Sequence, residues 1–231
     1  MPASGAVTRS TLRQQIADAL RDEVLAGRLR PGEEFTVKQI ADQYGVSTTP
    51  VREALVDLCA QGLLDSDQHR GFRVHEFSVA DYRGMVEARA LVVEGVLRAL
   101  PVRSGRFDGY IGAQGTRLLS VRRRAEEASR AARGGDLDIL IGYDLRFWRE
   151  LGGLITNRYI AEFLQRLRVQ SWVFAVPHLR VDRNPCAWLW NGYEELVGAV
   201  TLADPGALAA ALDAHNQQAL AWADHLENRP R

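Results

Sequence analysis

Hydrophobic residues near the N-terminus recur every three or four positions, which is the spacing of an amphipathic helix. The first run predicts a helix over about residues 9–26, ended by Gly27. Thr36 and Gln39 match a capping box, in which each side chain binds the backbone N–H of the other residue. This pair predicts a second helix of about eight residues that ends near Gly45.

A third helix and a hairpin follow in the pattern. Ser47 can cap the third helix, Pro50 is tolerated in its first turn, and Gly62 ends it. Residues 63–66 and 72–75 are then predicted as two short strands around a polar tip. The order of helix, helix, turn, helix and hairpin is that of a winged helix-turn-helix domain.

The remainder of the chain shows only helical periodicity. Ser78 and Asp81 begin its first helix, and Pro101 predicts the end of that helix. Further helices are predicted over residues 107–133, 137–153, 158–176, 186–203 and 206–227. We therefore expect a mostly α fold with two domains: a winged helix-turn-helix domain over residues 1–77 and an all-α bundle of about six helices over residues 78–231.

Composition and charge exclude several classes of protein. The 231 residues are 46% hydrophobic and 25% charged, as in ordinary globular proteins. No stretch approaches the roughly 18 apolar residues of a membrane span, and no signal-peptide core is found, so we expect a cytoplasmic protein with no membrane partner. Cys59 and Cys186 lie far apart in apolar surroundings, which favours packing residues in a reducing compartment over a disulfide.

The start of the third helix carries residue types that suit DNA binding. The turn at Gly45 lets this helix leave the second one steeply, so that its N-terminal end can enter a major groove. Ser47, Thr48, Thr49 and Arg52 form the exposed edge of this end. The Arg52 guanidinium can bind guanine through two hydrogen bonds, and the threonines can reach phosphates or a thymine methyl group.

The tip of the hairpin, which is the wing, carries a second candidate set. His69, Arg70 and Gly71 suit phosphates or the minor groove. The net charge contributes little, because 29 basic residues oppose 29 acidic ones and residues 1–78 hold 9 basic against 11 acidic residues. Two copies side by side would strengthen the attraction, so we expect a homodimer on a palindromic operator. From the pattern alone, a helical domain with surface arginines remains the alternative.

Five short motifs lie across residues 9–75. They are Leu29-Arg30-Pro31-Gly32-Glu33, Gly45-Val46-Ser47, Pro50-Val51-Arg52-Glu53-Ala54-Leu55, Gly62-Leu63-Leu64 and Arg70-Gly71-Phe72-Arg73-Val74. Together they resemble the DNA-binding domain of GntR-family transcription regulators. The resemblance implies DNA contacts at Arg52, which matches the second recognition arginine of the family, and at Gly71, which matches its wing-tip glycine. Arg30, in the first motif, is a further candidate, whereas Thr48 stands where the family usually has a DNA-binding arginine.

The second domain carries looser motifs. They are Gly135-Asp136, Asp144, Phe147, Leu151, Asn157, Ala203-Asp204 and His215. This set is similar to the all-helical effector domain of the FadR-like (FCD) subfamily of these regulators. The resemblance implies a bundle that dimerises and binds a small effector.

Three polar residues face the interior of the predicted bundle. Helical periodicity places Asp144, Tyr193 and His215 each among apolar residues of its own helix. A carboxylate on such a face needs a cation, a metal or several hydrogen-bond donors to offset its desolvation. Core packing with a satisfied hydrogen bond explains any one of the three alone, so a shared site and an ordinary core both remain open.

The FCD resemblance gives these residues a role. Many members bind a divalent metal through one Asp and three His, and the matching positions here are Asp144, Trp148, Tyr193 and His215. Indole has no lone pair for a metal and a neutral phenol is a poor ligand, so only Asp144 and His215 remain and we expect no metal cofactor. We expect the cavity at these four positions to bind a small organic effector instead.

Arg89 is a fifth candidate for this effector site. It resembles the subfamily's arginine that faces the cavity and can meet the carboxylate of an effector. A surface ion pair or an internal pair with Asp144 are the alternatives.

Three functions are compatible with this arrangement. The first is a DNA-binding transcription regulator controlled by an organic effector in the bundle. The second is an effector-independent dimeric repressor whose degenerate bundle serves only to dimerise. The third is a small-molecule enzyme, but no nucleophile elbow, phosphate-binding loop or zinc motif is present, so we expect no enzyme.

Overall fold

The computed structural model describes residues 12–67, 70–113 and 115–229, with side chains described outside residues 100–116. Contacts between Cα atoms divide the chain into two compact units, Met1–Glu76 and Phe77–Arg231, which we call the head and the bundle. The head is a winged helix-turn-helix unit and the bundle is helical, so the predicted mostly α fold is confirmed. Within the described residues, no helix is both long enough and apolar enough to cross a membrane.

The head is built from three helices, α1 (Leu12–Leu25), α2 (Val37–Tyr44) and α3 (Thr48–Ala60). The predicted capping box is formed: the Thr36 hydroxyl accepts the Gln39 N–H at 3.2 Å, and the Thr36 N–H donates to Gln39 Oε1 at 2.7 Å. The helices meet through apolar side chains at helical spacing. Large buried side chains among them are Ile16, Leu20, Ile40, Val51, Leu55 and Leu58.

A three-stranded antiparallel sheet completes the head. Strands β2 (Leu64–Asp67) and β3 (Gly71–Val74) form the predicted hairpin. Strand β1 (Glu34–Phe35) pairs with the other edge of β3, which gives the order β1, β3, β2. The sequence analysis missed β1, because two residues are too few to show an alternating pattern.

The bundle contains α4 (Val79–Ala113), α5 (Gly115–Gly134), α6 (Leu137–Ile155), α7 (Arg158–Arg180), α8 (Tyr193–Thr201) and α9 (Pro205–Glu227). Side-chain caps start four of these helices. The Ser78 hydroxyl accepts the N–H of Asp81 at the start of α4. Asp136 accepts the N–H of Ile139 before α6, Asn157 that of Ile160 before α7, and Asp204 those of Gly206 and Ala207 before α9.

Three helix predictions in the bundle are wrong. The helix predicted over 107–133 begins at Gly115 instead, because residues 107–113 belong to α4. Helix α4 continues through Pro101 to Ala113, because a proline removes one backbone hydrogen bond without forcing the helix to end. The helix predicted over 186–203 is split into one 3-10 turn, Pro185–Trp188, and the separate helix α8. Cys186 lies in that turn and is exposed, so its predicted role as a packing residue is also wrong.

Candidate functional site

The predicted DNA-contact residues of the head lie at the start of α3. Ser47, Thr48, Thr49 and Arg52 are all exposed there. Ser47 occupies the N-cap position, but its side chain makes no capping hydrogen bond. Among the described residues, no ion pair or hydrogen bond holds the Arg52 guanidinium. This edge therefore presents three hydroxyls and one guanidinium outward.

The wing and its neighbour carry the other DNA-contact candidates. Arg70 is exposed, with its guanidinium 3.6 Å from a carboxylate oxygen of Glu34, and His69 lies outside the described residues. Gly71 has φ +101°, and a Cβ atom there would lie 2.6 Å from the backbone oxygen of Phe35. Only glycine fits between β1 and the wing at that position. Arg30 is exposed before β1.

In the bundle, Asp144 is the most enclosed charged residue of the candidate site. Its side chain is 0% exposed. The indole N–H groups of Trp148 and Trp172 donate to its carboxylate at 3.1 and 2.6 Å, and the Tyr193 hydroxyl donates at 2.7 Å. The guanidinium of Arg168 binds both carboxylate oxygens. A buried carboxylate is stable here because every side of it meets a donor.

Arg168, on α7, is the residue that joins this site together. Its Nε–H donates to Asp144 Oδ2 at 2.7 Å, and its Nη1 lies 2.9 Å from His215 Nε2. The guanidinium carbon lies 5.3 Å from the ring centre of Trp148 and 5.8 Å from that of Trp172. Helices α6, α7 and α9 are thereby linked through one side chain.

The protonation states follow from this burial. Burial and the nearby positive charges of Arg89 and Arg168 hold the pKa of His215 well below its ordinary value, so His215 is neutral and accepts from Arg168. Burial lowers the pKa of Arg168, but the charge and hydrogen bonds of Asp144 outweigh it and raise that pKa overall. Burial and the Asp144 charge raise the pKa of Tyr193, which keeps its hydroxyl as a donor.

Arg89, on α4, is positioned beside this cluster but is not part of it. Its Nε–H donates to Asn216 Oδ1 at 2.9 Å, whereas its buried Nη2 has no hydrogen-bond partner among the described residues. Burial first, and then the positive charge of Arg168, lower the pKa of Arg89 to about 10. The alternative pairing of Arg89 with Asp144 is not formed, because Arg168 holds that carboxylate.

Two cavities, each of about 60 Å³, adjoin the cluster around Arg168. Arg89, Arg168 and His215 line both of them. The first, the aromatic cavity, is also lined by Tyr82, Trp172, Trp188, Trp190, Tyr193 and Trp222. The second, the aliphatic cavity, is also lined by Val93, Val96, Leu97, Trp148, Leu164, Gln165, Leu208 and Leu212. A volume of this size holds several waters or a small organic group.

The donor set does not fit a divalent metal. In the part of the chain that the structure describes, no group of three or more His, Cys, Asp and Glu side chains is gathered closely enough to hold one. Asp144 already accepts from four side chains, and His215 Nε2 already accepts from Arg168. The lone pairs that a metal would need are in use.

The structure brings together four of the predicted site residues, Asp144, Trp148, Tyr193 and His215, with Arg89 adjacent. Arg168, at the centre of the site, was not predicted from the sequence, and neither were Trp172 and Gln165. A usable signal was present, because Arg168 lies four residues after Leu164 and four before Trp172, on the same inward stripe of α7.

The chain is similar to known proteins in family, sequence and structure. Residues 12–74 match the model of bacterial regulatory proteins of the gntR family, and residues 113–218 match the FCD domain. A probable D-xylose utilization operon transcriptional repressor of Paenarthrobacter nicotinovorans is 27% identical over 214 residues, which cover 90% of this chain and 87% of the relative.

Two solved structures share the fold. The McbR/YncC protein of E. coli has a TM-score of 0.75 at 22% identity, covering 94% of this chain and 99% of its own. A GntR transcriptional regulator from Rhodococcus sp. RHA1 has a TM-score of 0.68 at 19% identity over the same shares. Since the two family models match the head and most of the bundle in the order in which they lie along the chain, this protein is a DNA-binding transcription regulator of the GntR family with an FCD domain, and not an enzyme.

Proposed function

We propose that the affinity of this regulator for its operator DNA changes when a small organic anion binds in the bundle beside Arg89. The observation that carries the proposal is that Arg89 lines both cavities and that its buried Nη2 group has no hydrogen-bond partner among the described residues. A buried donor left unsatisfied destabilises a fold by about 1–3 kcal/mol. A carboxylate or phosphate oxygen at this position would satisfy it with a charge-assisted hydrogen bond.

The surroundings of Arg89 also indicate the body of the ligand. The aliphatic cavity supplies an apolar surface from Val93, Val96 and Leu97. Gln165 lines the same cavity, and its buried Oε1, which has no partner in the part of the chain that the structure describes, would accept from a hydroxyl or amine. An anion with an apolar body and one hydrogen-bond donor therefore matches this side of the site.

At the DNA, the proposal assigns recognition to α3 and the wing. Arg52 would read a guanine, while Ser47, Thr48, Thr49 and Arg30 would contact phosphates or neighbouring bases. Arg70 and Gly71, with His69, would follow the minor groove at the wing. We propose a homodimer acting in the cytoplasm on a palindromic operator, because two heads double the phosphate contacts that one near-neutral head makes weakly.

The test uses an operator selected from random duplex DNA and measures its release by fluorescence anisotropy. The probes are short-chain carboxylates, aromatic carboxylates, sugar acids and, because of the Paenarthrobacter relative, D-xylose. We expect an active anion to shift DNA affinity at least about tenfold for the wild type and to have no effect on Arg89→Ala. Arg166→Ala, which removes an exposed arginine of the same helix as Arg168, is the matched control and should respond normally.

The proposal fails if the active compound is uncharged, or if Arg89→Ala responds as the wild type does. One observation favours a second function, an effector-independent dimeric repressor: Asp144, Trp148, Tyr193 and His215 are already satisfied through one another and Arg168. A thermal-shift screen of the same probes separates the two functions, because a ligand that binds the folded state must raise the melting midpoint.

A further inference from the structure

We propose that Arg168 is the resident cation of the bundle: its guanidinium occupies the place where the side chains of Asp144 and His215 converge, so that it links the helices and excludes a divalent metal. This role of Arg168 is independent of the effector. Arg168 holds helices of the bundle together and determines which cations can bind there.

The geometry places one cation between the two side chains with metal-ligand chemistry. Arg168 Nε and Nη2 contact the two oxygens of Asp144, and Arg168 Nη1 lies 2.9 Å from His215 Nε2. These contacts join α6, α7 and α9 at a single point. A metal would make the same three-way connection through the same acceptor atoms, so the two cations compete for one place.

The acceptors of Asp144 are saturated while Arg168 is bound. Oδ1 accepts from Trp148, Tyr193 and Arg168, and Oδ2 accepts from Trp172 and Arg168. An ionised carboxylate offers about four lone-pair sites, and five hydrogen bonds already use them. A metal can reach this carboxylate only after Arg168 leaves.

The aromatic residues around the Arg168 guanidinium also favour an arginine at this place. The rings of Trp148 and Trp172 approach it at 5.3 and 5.8 Å, as cation–π partners do. Trp148 and Tyr193 also donate to Asp144, but an indole has no lone pair for a metal and a neutral phenol is a poor ligand. Their presence is thus matched to an arginine and would not serve a metal.

Electrostatics also opposes a second cation. The Arg168 side chain is only 11% exposed, and the guanidinium of Arg89 lies on the same cavity wall. A divalent ion entering beside two poorly solvated positive groups would be repelled by both. Displacing Arg168 instead would leave its charge buried without a counterion.

The test introduces histidine at positions 148 and 193, with Arg168 either kept or replaced. Three proteins are stripped with chelator and titrated with Zn²⁺ or Ni²⁺ alone by calorimetry: the wild type, W148H/Y193H, and W148H/Y193H/R168M, in which methionine keeps the length but not the charge. We expect one equivalent to bind only to the triple variant, with the double variant at least about 100-fold weaker. Equal, stoichiometric binding by the double and triple variants would overturn the proposal.

A second measurement uses the unchanged protein, in case the triple variant does not fold. Wild type purified without chelator should contain well under one equivalent of zinc, nickel or manganese by elemental analysis. Its melting midpoint should be the same with excess chelator and with excess Zn²⁺, whereas R168M should melt lower under both conditions. A wild-type midpoint that rises with one equivalent of metal and falls with chelator would refute a resident guanidinium.

Discussion

At the scale of single residues, the buried pair of Asp144 and Arg168 is expected to determine how substitutions change the stability of the bundle. Each partner compensates a charge that the interior would otherwise not tolerate, and the surrounding indoles and phenol complete the hydrogen bonding. The neutral His215 is a third member that depends on the arginine next to it. Single and paired substitutions should therefore differ sharply.

Asp144→Ala should lower the free energy of unfolding by about 3–5 kcal/mol, because it leaves Arg168 buried and unpaired. Asp144→Leu combined with Arg168→Met removes both charges and keeps the volume, so it should lose less stability than Asp144→Ala, while the donors Trp148, Trp172 and Tyr193 lose their acceptor in both variants. Urea unfolding followed by circular dichroism measures both. If the double variant lost as much stability as the single one, the pair would not be the source of the effect.

His215 predicts a pH dependence with a defined sign. Its folded-state pKa lies well below the unfolded value of about 6.5, so below that pH the unfolded chain binds a proton that the folded chain refuses. The stabilisation is present above about pH 6.5 and is lost as the pH falls, at up to about 1.4 kcal/mol per pH unit. Between pH 7.5 and 5.5, His215→Gln should lose less unfolding free energy than the wild type. His178, whose pKa is also lowered, is present in both proteins and cancels.

At the start of α3, Arg52→Lys tests the shape of the guanidinium separately from its charge. Lysine keeps the positive charge but lacks the fork that binds guanine through two hydrogen bonds. We expect the preference for operator over scrambled duplex to fall by about 1–3 kcal/mol, while salt-sensitive binding to scrambled DNA stays nearly unchanged. Arg52→Ala should lose the same preference. Unchanged binding curves on both duplexes would remove Arg52 from the recognition site.

At the scale of elements, the sequence predicts best those features that depend only on residues within one turn of each other. The capping pairs Thr36 with Gln39 and Ser78 with Asp81 are decided within one turn and are formed as predicted. Strand β1 and Arg168 depend on distant partners, and Arg168 finds its own 24 and 47 residues away along the chain. In a chain with abundant surface arginines, that partnership could not be inferred from local spacing.

The wing contains a position where an element depends on one glycine. Gly71→Ala should destabilise the head, because φ is +101° and the added Cβ would meet the Phe35 backbone oxygen at 2.6 Å. Gly45→Ala is the matched control: φ is +64° but nothing lies within 4 Å, so only about 1–2 kcal/mol of left-handed strain is expected. Thermal unfolding should rank Gly71→Ala below Gly45→Ala, and the reverse order would contradict the close approach.

At the scale of the whole molecule, the head and the bundle each have a core of their own. The head carries the proposed DNA-contact residues, and the bundle carries the two cavities and the buried ion pair. The proposed function thus assigns DNA recognition to one unit and effector binding to the other.

A dimer with one head in each major groove predicts a strict spacing rule. Half-site centres about one helical turn apart should bind best, and inserting about five base pairs should turn one half-site to the opposite side of the duplex and abolish high-affinity binding. Sedimentation of the protein alone and with each duplex measures the stoichiometry. Equal affinity for both spacings would exclude this dimer.

The aromatic lining of the cavities has an optical consequence. All five tryptophans of the chain, Trp148, Trp172, Trp188, Trp190 and Trp222, lie in the bundle and line one cavity or the other. The head contains none, so intrinsic fluorescence excited at the indole band reports on the cavities and is silent about the DNA-binding surface. Occupancy of the bundle and engagement of DNA can thus be recorded on one unlabelled protein sample, the first from its own emission and the second from a dye on the duplex.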